Sequence, residues 1–498
     1  MNIATFSVRI SAGNRELVNI GQFSYVKNGI TFLFGESGIG KSIICKSIYG
    51  LLDSAELNGT INGKSYAQYA LSSQVNELKK NSFFVFQEPS SHLNPLQTIA
   101  EQLSEGDLKS PEGQEEILKR LFGGISAEAR EKILSVYPKP YRPSGGEKQR
   151  ILLTMAFKKI VQFQSSKAGG ESLFVFDEPT GSLDNRYRNN FLDFLFEQYQ
   201  RSPFTAIVIT HDYSIISEIY NWHKALVPNI SLLELQRRPI GGVELVEFSA
   251  QKYLTWVGGI NSTSAKKEAE TICTVQPRIS IFGRELRLCH ESDCTKDKSL
   301  ELRRGQMVYV KAPSGVGKTT LAKCMMGLYH PQGFSMELCG RTITDKTGAR
   351  EFRKHVWGKT ASMVFQHADE SLDLEATVAQ TFAGLSAPID RVDAMLRRLF
   401  PELAQGDAME LFLKKRVKFL SGGQKQRLNV LRTVVLKPDL IILDEPLNAL
   451  DFVSSQNVLA LLDEAREAGS GLLMISHNEE IFDKVVGSGM VWYLDAID

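Results

Sequence analysis

The chain has 498 residues, of which 43% are apolar and 23% charged, and its net charge is +1. This is an ordinary globular composition, and the balanced charge offers neither a large basic surface for nucleic acid nor an acidic tail. The first residues, MNIATFSVRIS, predict no secretory signal, and no run of about 18 apolar residues predicts a membrane-spanning helix. The six cysteines form no Cys-x-x-Cys pair, so we expect a reducing compartment with neither a zinc site nor a disulfide framework.

The first predicted elements that indicate a function are a strand and a helix joined by a glycine-rich loop. The strand GITFLF begins at Gly29, and the helix SIICKSIYGLL begins at Ser42. Glycines in such a loop let backbone N–H groups converge on phosphate oxygens, and the helix turns its positive end toward them. Lys41 would then reach the terminal phosphates of a nucleotide, and Ser42 would place its hydroxyl on Mg²⁺. The loop residues predicted to bind phosphate are Gly35, Ser37, Gly38, Gly40, Lys41 and Ser42.

Further along the chain, a pair of carboxylates follows an apolar strand. The strand SLFVF ends at Asp177-Glu178, and the later strand TAIVIT is followed by His211. The carboxyl ends of parallel strands form the edge where α/β sheets bind ligands, so we expect these side chains beside the phosphate loop. Asp177 suits the water shell of Mg²⁺, and Glu178 suits positioning an attacking water. A plain structural turn is the alternative for this motif alone, but its position after a phosphate loop favours the functional interpretation.

The second half of the chain repeats these motifs in the same order. APSGVGKT begins at Ala312, KFLSGGQKQR begins at Lys418, and LIILDEPLNALD ends at Asp451. The two copies of the motif set are offset by about half of the chain, which indicates a duplicated domain, because the repeats of a solenoid are far shorter. The first half has about ten additional residues near 157–171, which we predict to form a surface loop. We predict a first domain at residues 1–250, a linker at 251–273 and a second domain at 274–498.

The candidate residues of the second half follow from the same chemistry. Lys318 and Thr319 are predicted to contact phosphate and Mg²⁺, while Asp444 and Glu445 form the second carboxylate pair. The loop residues predicted to bind phosphate here are Ser314, Gly315, Gly317, Lys318 and Thr319. Ala312 stands where the first loop has a glycine, and we expect this change to have a mild effect at most. A chance glycine-rich turn is the alternative for either loop, and two matches at strand–helix junctions count against it.

Two short segments indicate which family of phosphate-loop proteins the chain resembles. Ser144-Gly-Gly-Glu147 and Ser421-Gly-Gly-Gln424 each precede an aspartate-bearing strand, and with them the chain resembles the ATP-binding cassette family in two copies. The resemblance implies an ATPase with two tandem α/β P-loop domains. Each would have a mainly parallel sheet with flanking helices, a helical subdomain and a small antiparallel β part. The cofactors implied are ATP and Mg²⁺.

In this family the signature segment of one domain binds the γ-phosphate of the ATP held by the other domain. The resemblance therefore implies intramolecular pairing of the two halves. Glu147 replaces the commoner glutamine and adds a negative charge near phosphate, which would weaken its site. The signature residues expected at the nucleotide are Ser144, Gly145, Gly146, Glu147, Ser421, Gly422, Gly423 and Gln424.

Other family motifs can also be matched. Gln87 and Gln366 match the Q-loop glutamine that senses Mg²⁺ and water, and His211 and His477 match the switch histidine that contacts the γ-phosphate. The D-loops correspond to segments closed by Asp184 and Asp451. The resemblance implies six catalytic residues: Glu178, Glu445, His211, His477, Gln87 and Gln366. It implies six ligands for Mg²⁺ or its waters: Ser42, Gln87, Asp177, Thr319, Gln366 and Asp444.

The branch of the family is indicated by FQEPSSHLNPLQT, which begins at Phe86 and resembles peptide and nickel importer ATPases. This implies the ATP-hydrolysing motor of an importer of peptide, nickel or a metal chelator, peripheral on the cytoplasmic face of the inner membrane. Two integral-membrane permease subunits would be its direct partners and a solute-binding protein an indirect one, with no nucleic acid. Each pore subunit would contact one Q-loop region, residues 87–98 or 366–377. The alternative is a soluble tandem ATPase associated with ribosomes or with phosphonate metabolism, and the sequence names no cargo.

Overall fold

The computed structural model describes residues 2–123, 126–136, 144–166, 170–181, 185–238, 242–262, 269–281, 283–292, 294, 296–313, 315–385, 389–403 and 407–497. The chain forms two compact units, Met1–Tyr253 and Leu254–Asp498. Among the described residues, none of the helices combines the length and the apolar character needed to cross a membrane.

The first unit contains two sheets. Its strands are β1 (Ile3–Ala12), β2 (Arg15–Val26), β3 (Ile30–Phe34), β4 (Asn58–Ile61), β5 (Lys64–Ser65), β6 (Phe84–Val85), β7 (Phe174–Asp177), β8 (Ala206–Ile209), β9 (Ile230–Arg237) and β10 (Val243–Glu247). The small sheet has the order β2-β1-β4-β5 and is antiparallel, and the large one has the order β10-β9-β3-β8-β7-β6. In the large sheet every described pairing except β10–β9 is parallel.

The helices of the first unit are α1 (Lys41–Ile48), α2 (Tyr66–Ala70), α3 (Ser73–Asn81), α4 (Ile99–Leu103), α5 (Gln114–Leu121), α6 (Ala127–Leu134), α7 (Gly145–Ser165), α8 (Asn185–Arg201) and α9 (Ser214–Trp222). Helices of this unit contact both sheets: α1 and α2 contact strands of the small sheet, and α7 contacts β6 of the large one. Strands β3, β7 and β8 are buried at every position, which is typical of parallel strands covered on both faces. In β1 the burial alternates along the strand, because only one face of the small sheet packs on the core.

The second unit repeats this architecture. Its strands are β11 (Thr271–Val275), β12 (Arg278–Ile281), β13 (Arg284–Cys289), β14 (Leu300–Arg303), β15 (Met307–Lys311), β16 (Ser335–Leu338), β17 (Arg341–Thr344), β18 (Ala361–Val364), β19 (Leu440–Asp444), β20 (Gly471–Ile475) and β21 (Val491–Ile497). The small antiparallel sheet has the order β14-β11-β16-β17. The large sheet has the order β12-β13-β21-β15-β20-β19-β18 and is parallel from β21 to β18.

The second unit begins within a helix, and its other helices follow along the chain. They are α10 (Ala250–Gly258), α11 (Lys318–Met325), α12 (Ala349–Glu351), α13 (Ile389–Leu399), α14 (Ala408–Lys414), α15 (Gly422–Val435), α16 (Phe452–Glu467) and α17 (Glu479–Val486). The prediction of two α/β domains, each with a mainly parallel sheet and a small antiparallel part, is confirmed.

The segment predicted as a linker contains regular structure at both ends. Helix α10 spans the point where the two compact units meet in the sequence, and β11 begins at Thr271. Trp256 of α10 packs edge-on against Phe452, with ring centroids 5.2 Å apart, within the second unit. Residues 263–268, in the middle of the segment, lie outside the described residues.

Two sequence expectations are wrong. Most of the additional residues near 157–171 extend a helix and do not form a loop, because α7 has 21 residues where α15 has 14. The extension contributes Ile160 to the core, residues 161–164 are half-buried, and residues 167–169 lie outside the described residues. The second error concerns the cysteines: Cys289 and Cys294 form a disulfide, because a turn brings their Cα atoms to 5.2 Å.

Candidate nucleotide-binding and hydrolysis sites

The phosphate loop of the first unit (residues 35–42) joins β3 to α1. Gly35 has a φ of 135°, and a Cβ there would lie 2.7 Å from the carbonyl oxygen of Leu235, so a side chain would strain the turn. The side chain of Lys41 is buried, and its Nζ donates to the carbonyl oxygens of Gly35 at 2.6 Å and Glu36 at 3.1 Å. The loop therefore closes around a lysine ammonium, as a phosphate-binding loop requires.

In the second phosphate loop (residues 312–319) the lysine makes equivalent contacts, although the loop begins with an alanine where the first loop has a glycine. Lys318 Nζ donates to the carbonyl oxygens of Ala312 at 2.6 Å and Pro313 at 3.3 Å. Ala312 does not adopt a positive φ, so its methyl group causes no backbone strain. Ser314 lies outside the described residues. Within the described loops, the glycines with positive φ are Gly35, Gly38, Gly40, Gly315 and Gly317.

A hydroxyl and a carboxylate meet beside the first loop. Ser42 Oγ donates to Asp177 Oδ1 at 2.8 Å, and the Asp177 side chain is completely buried at the end of β7. Burial raises the pKa of Asp177 to about 6, although the hydrogen bond from Ser42 opposes the rise. The second oxygen, Oδ2, is buried without a hydrogen-bond partner among the described residues. An unpartnered buried carboxylate oxygen next to a hydroxyl fits a divalent cation with a preference for oxygen ligands.

The second unit has the same pair. Thr319 donates a hydrogen bond to Asp444, burial raises the pKa of that carboxyl, and its Oδ2 has no hydrogen-bond partner within the described part of the chain. Gln87 and Gln366 follow β6 and β18, the strands next to the two aspartate-bearing strands. Since the two strands of each pair run parallel, each glutamine emerges at the same edge of its own sheet as the aspartate of that sheet.

The glutamate after each aspartate adopts a strained backbone. Glu178 and Glu445 both have a φ of 49°, in the left-handed region that non-glycine residues rarely occupy. In the first unit, Glu178 Oε2 lies 2.8 Å from Nδ1 of His211, which emerges two residues after β8. Burial raises the pKa of Glu178, but the charge of His211 and its hydrogen bond outweigh burial and hold the pKa below its ordinary value. The charge of Glu178 in turn raises the pKa of His211.

The corresponding pair in the second unit is looser. His477 Nε2 lies 3.7 Å from Glu445 Oε1, beyond hydrogen-bond distance. Ser476 Oγ instead donates to Glu445 Oε2 at 2.7 Å. Burial raises the pKa of Glu445 to about 7, with a smaller opposing effect from the Ser476 hydrogen bond. The two carboxylates predicted to act on water therefore have different environments before nucleotide binds.

The two signature segments begin helices in the same way. Ser144 and Ser421 are the N-caps of α7 and α15, and each exchanges hydrogen bonds with the residue three positions later in a capping box. Glu147 Oε2 accepts from the backbone N–H of Ser144 at 2.7 Å, and Gln424 Oε1 accepts from that of Ser421 at 3.2 Å. The expected negative charge of Glu147 therefore sits directly on a helix N-terminus. The glycines of both segments are the first residues of these helices: Gly145, Gly146, Gly422 and Gly423.

Some contributions to the sites were missed by sequence reasoning. Ser476, which binds Glu445, stands directly before the switch histidine, and that adjacency is its only sequence signal. Leu286 packs beside the glycine of the second phosphate loop that precedes the lysine, where a Cβ on Gly317 would lie 3.1 Å from its Cδ1. Of the D-loop aspartates, Asp451 caps α16, and Asp184 lies outside the described residues.

Comparison with known proteins agrees with this geometry. The family model described as ABC transporter matches residues 18–181 and 295–448, more than half of the chain. The chain is similar to the glutathione import ATP-binding proteins GsiA of Shigella sonnei and Escherichia coli (strain K12). Each is 25% identical over 532 residues, which cover 95% of this chain and 81% of the relative.

Solved structures show the same fold. An archaeal ribosome recycling factor, aABCE1, in complex with the ribosomal stalk protein aP1 superimposes with a TM-score of 0.61 at 18% identity. The alignment covers 98% of this chain and 89% of that one, and a structure named RNase-L Inhibitor gives the same values. At this identity the likeness concerns the arrangement of secondary structure alone.

Proposed function

The chain belongs to the ABC transporter family and is an ATP-binding ATPase, and from this premise we propose that it is the motor subunit of an importer. The observation that supports an import role most directly is the similarity to GsiA over 95% of this chain, through both halves in the same order. The segment LNPLQT, beginning at Leu93, further favours the peptide, nickel or metal-chelator class of importer. Glutathione import by the relatives supports a small-solute cargo for this chain.

Each site residue of the first unit has a separate proposed role in ATP hydrolysis. We propose that Lys41 holds the β- and γ-phosphates of ATP, and that Ser42, Asp177 and Gln87 hold Mg²⁺, directly or through its waters. When bound, Mg²⁺ would neutralise charge on the phosphates. Glu178 would orient the attacking water. Its present contact with Nδ1 of a histidine keeps that carboxylate ionised and therefore able to accept a hydrogen bond.

The equivalent residues of the second unit would serve the second nucleotide. They are Lys318, Thr319, Gln366, Asp444, Glu445 and His477. The resemblance of the signature segments supports pairing of the two halves within one chain, because each phosphate loop would need the signature of the other half. A short covalent connection between two modules gives an effective concentration on the order of mM, so the two halves of one chain would pair before two chains do. Isolated halves that kept the full turnover rate as monomers would contradict this pairing.

The direct partners proposed are two integral-membrane permease subunits, with a solute-binding protein as an indirect partner. The chain would then lie peripherally on the cytoplasmic face of the inner membrane. In the first unit, Leu96 of the Q-loop region is 84% exposed and adjoins the capped helix α4, which suits contact with a pore subunit. A second exposed leucine, Leu71 at 81%, lies outside that region and provides a matched control.

Co-purification from membranes tests the proposal. Tagged wild-type chain should bring down two integral-membrane proteins, with one copy of the chain per complex. Leu96→Asp should abolish this association and ATP-dependent uptake while the free chain still hydrolyses ATP, and Leu71→Asp should change neither. Equal loss from both variants would contradict docking through the Q-loop region.

The alternative function is that of a tandem ATPase without a transport role. The likeness to the ribosome recycling factor covers 98% of this chain at 18% identity, so it supports only that the same tandem fold occurs in a protein that acts on ribosomes. Recovery of ribosomal proteins or soluble lyase subunits with the tagged chain, in place of membrane proteins, would select this alternative.

A further inference from the structure

A buried arginine of the first unit contacts the loop that contains the switch histidine. Arg188 lies in the first turns of α8, and only 11% of its side chain is exposed. Its Nη1 donates to Asp212 Oδ2 at 2.9 Å and also to the hydroxyl of Ser214. A buried arginine–carboxylate pair is stable only when further hydrogen bonds satisfy both groups, so the surroundings of this pair matter.

The loop around this ion pair (residues 210–214) is closed by further hydrogen bonds. The backbone N–H of Ser214 donates to Asp212 Oδ1 at 3.0 Å, and the backbone N–H of Asp212 donates to Thr210 Oγ1 at 3.0 Å. His211 stands between the last two of these residues. The backbone that follows the histidine is thereby held by Asp212 and Ser214, both of which Arg188 contacts.

This arrangement restrains the backbone from which the histidine ring projects. With its neighbours fixed, His211 presents Nδ1 to Glu178 Oε2 at 2.8 Å. We propose that Arg188 is a positioning residue for ATP hydrolysis, which acts through Asp212 to hold His211 against Glu178. It would thus set the orientation of the two groups that act on the γ-phosphate and the attacking water.

The second unit offers an internal comparison. Ser455 and Asn478 stand at the positions that Arg188 and Asp212 occupy relative to the two D-loop and switch motifs. Ser455 Oγ donates to the backbone oxygen of Asp451 in its own helix turn and makes no ion pair. The histidine of that unit lies 3.7 Å from its glutamate, outside hydrogen-bond distance. The closer histidine–glutamate pair therefore occurs in the unit that has the arginine.

Steady-state ATPase kinetics of the full-length chain test the proposal, which rests on the ATPase function. Arg188→Met should lower kcat by about tenfold to a hundredfold with little change in the KM for ATP, since a misplacement of about 1 Å costs about this much in rate. Arg188→Lys should recover part of the loss, because it keeps a charge for Asp212. The matched control is Arg201→Met on the same helix, whose exposed ion pair is expected to contribute little.

A double-mutant cycle separates positioning from a structural role. In a His211→Ala background, Arg188→Met should cause no further loss of kcat if it acts through the histidine. A further loss as large as in the wild-type background, or an equal loss from Arg201→Met, would overturn the proposal. Should Arg188→Met not fold, Asp212→Asn replaces it in the same cycle with the same expectations. An inactive wild-type chain would instead contradict the ATPase function itself.

Discussion

Replacing the glutamate of the second unit with its neutral isostere should stabilise the nucleotide-free protein. In Glu445→Gln the remaining side-chain oxygen can still accept the hydrogen bond from Ser476, so the polar contact is retained. The other oxygen, Oε1, is buried and has no hydrogen-bond partner among the described residues. Removing a buried charge whose second oxygen is unsatisfied removes a desolvation cost.

The size of this effect follows from the pKa. Burial raises the pKa of Glu445 from its ordinary 4.5 to about 7. The unfolded chain releases this proton near pH 4.5 and the folded chain holds it to about pH 7, so stability falls as pH rises through this window. At about 1.4 kcal/mol per pKa unit, this difference in proton binding lowers stability by about 3 kcal/mol at pH 8 and by about 1 kcal/mol at pH 5.5. Glu445→Gln should recover part of these amounts, and more at pH 8 than at pH 5.5, because its amide NH2 takes the buried position of Oε1 and offsets some of the gain.

The assay is denaturant unfolding of the full chain without nucleotide at both pH values. The matched control is Glu178→Gln, which should destabilise the protein above pH 5. The folded-state pKa of Glu178 is lowered by His211, so its ionised form stabilises the folded state above the unfolded pKa and this contribution is lost on acidification. The reasoning would be refuted if Glu445→Gln left stability unchanged at pH 8, or if both variants shifted it in the same direction.

Three further predictions concern ATP binding and hydrolysis. The double variant Glu178→Gln with Glu445→Gln should bind ATP normally in equilibrium binding yet turn over about 10²–10⁴ times more slowly, because a positioned general base contributes about that much. Lys41→Ala should reduce ATPase and uptake rates at least as much as Lys318→Ala, since in the proposed pairing Glu147 would place a negative charge at the nucleotide held by Lys318; loss of activity with Lys318→Ala alone would contradict this. Glu147→Gln should tighten ATP binding, as measured by titration, because it removes a negative charge from the helix N-terminus that we propose to contact phosphate.

Much of the architecture could be predicted from the sequence, because its signals are local. A buried strand is an apolar run, and a phosphate loop is a set of glycines with a lysine between a strand and a helix. Lys41 and Lys318 are accordingly found with their ammonium groups inside their loops. The aspartates could also be placed, because the carboxyl ends of parallel strands share one edge of the sheet. Two copies of such motifs in one order are enough to define a tandem ATPase fold.

Only the tertiary structure shows how the surroundings of the two glutamates differ. Arg188 and Asp212 meet across 24 residues, and Ser476 and Glu445 across 31, through the packing of a helix and the register of neighbouring strands. Spacing along the chain does not encode such contacts, because hydrogen bonds between distant residues depend on where two elements pack. The continuation of α7 into the core was missed for the same reason: its apolar residues mark a buried helix only once the sheet beneath them is known. Sequence therefore determined which chemical groups are present, while packing determined which carboxylate is paired with a histidine and which one resists ionisation.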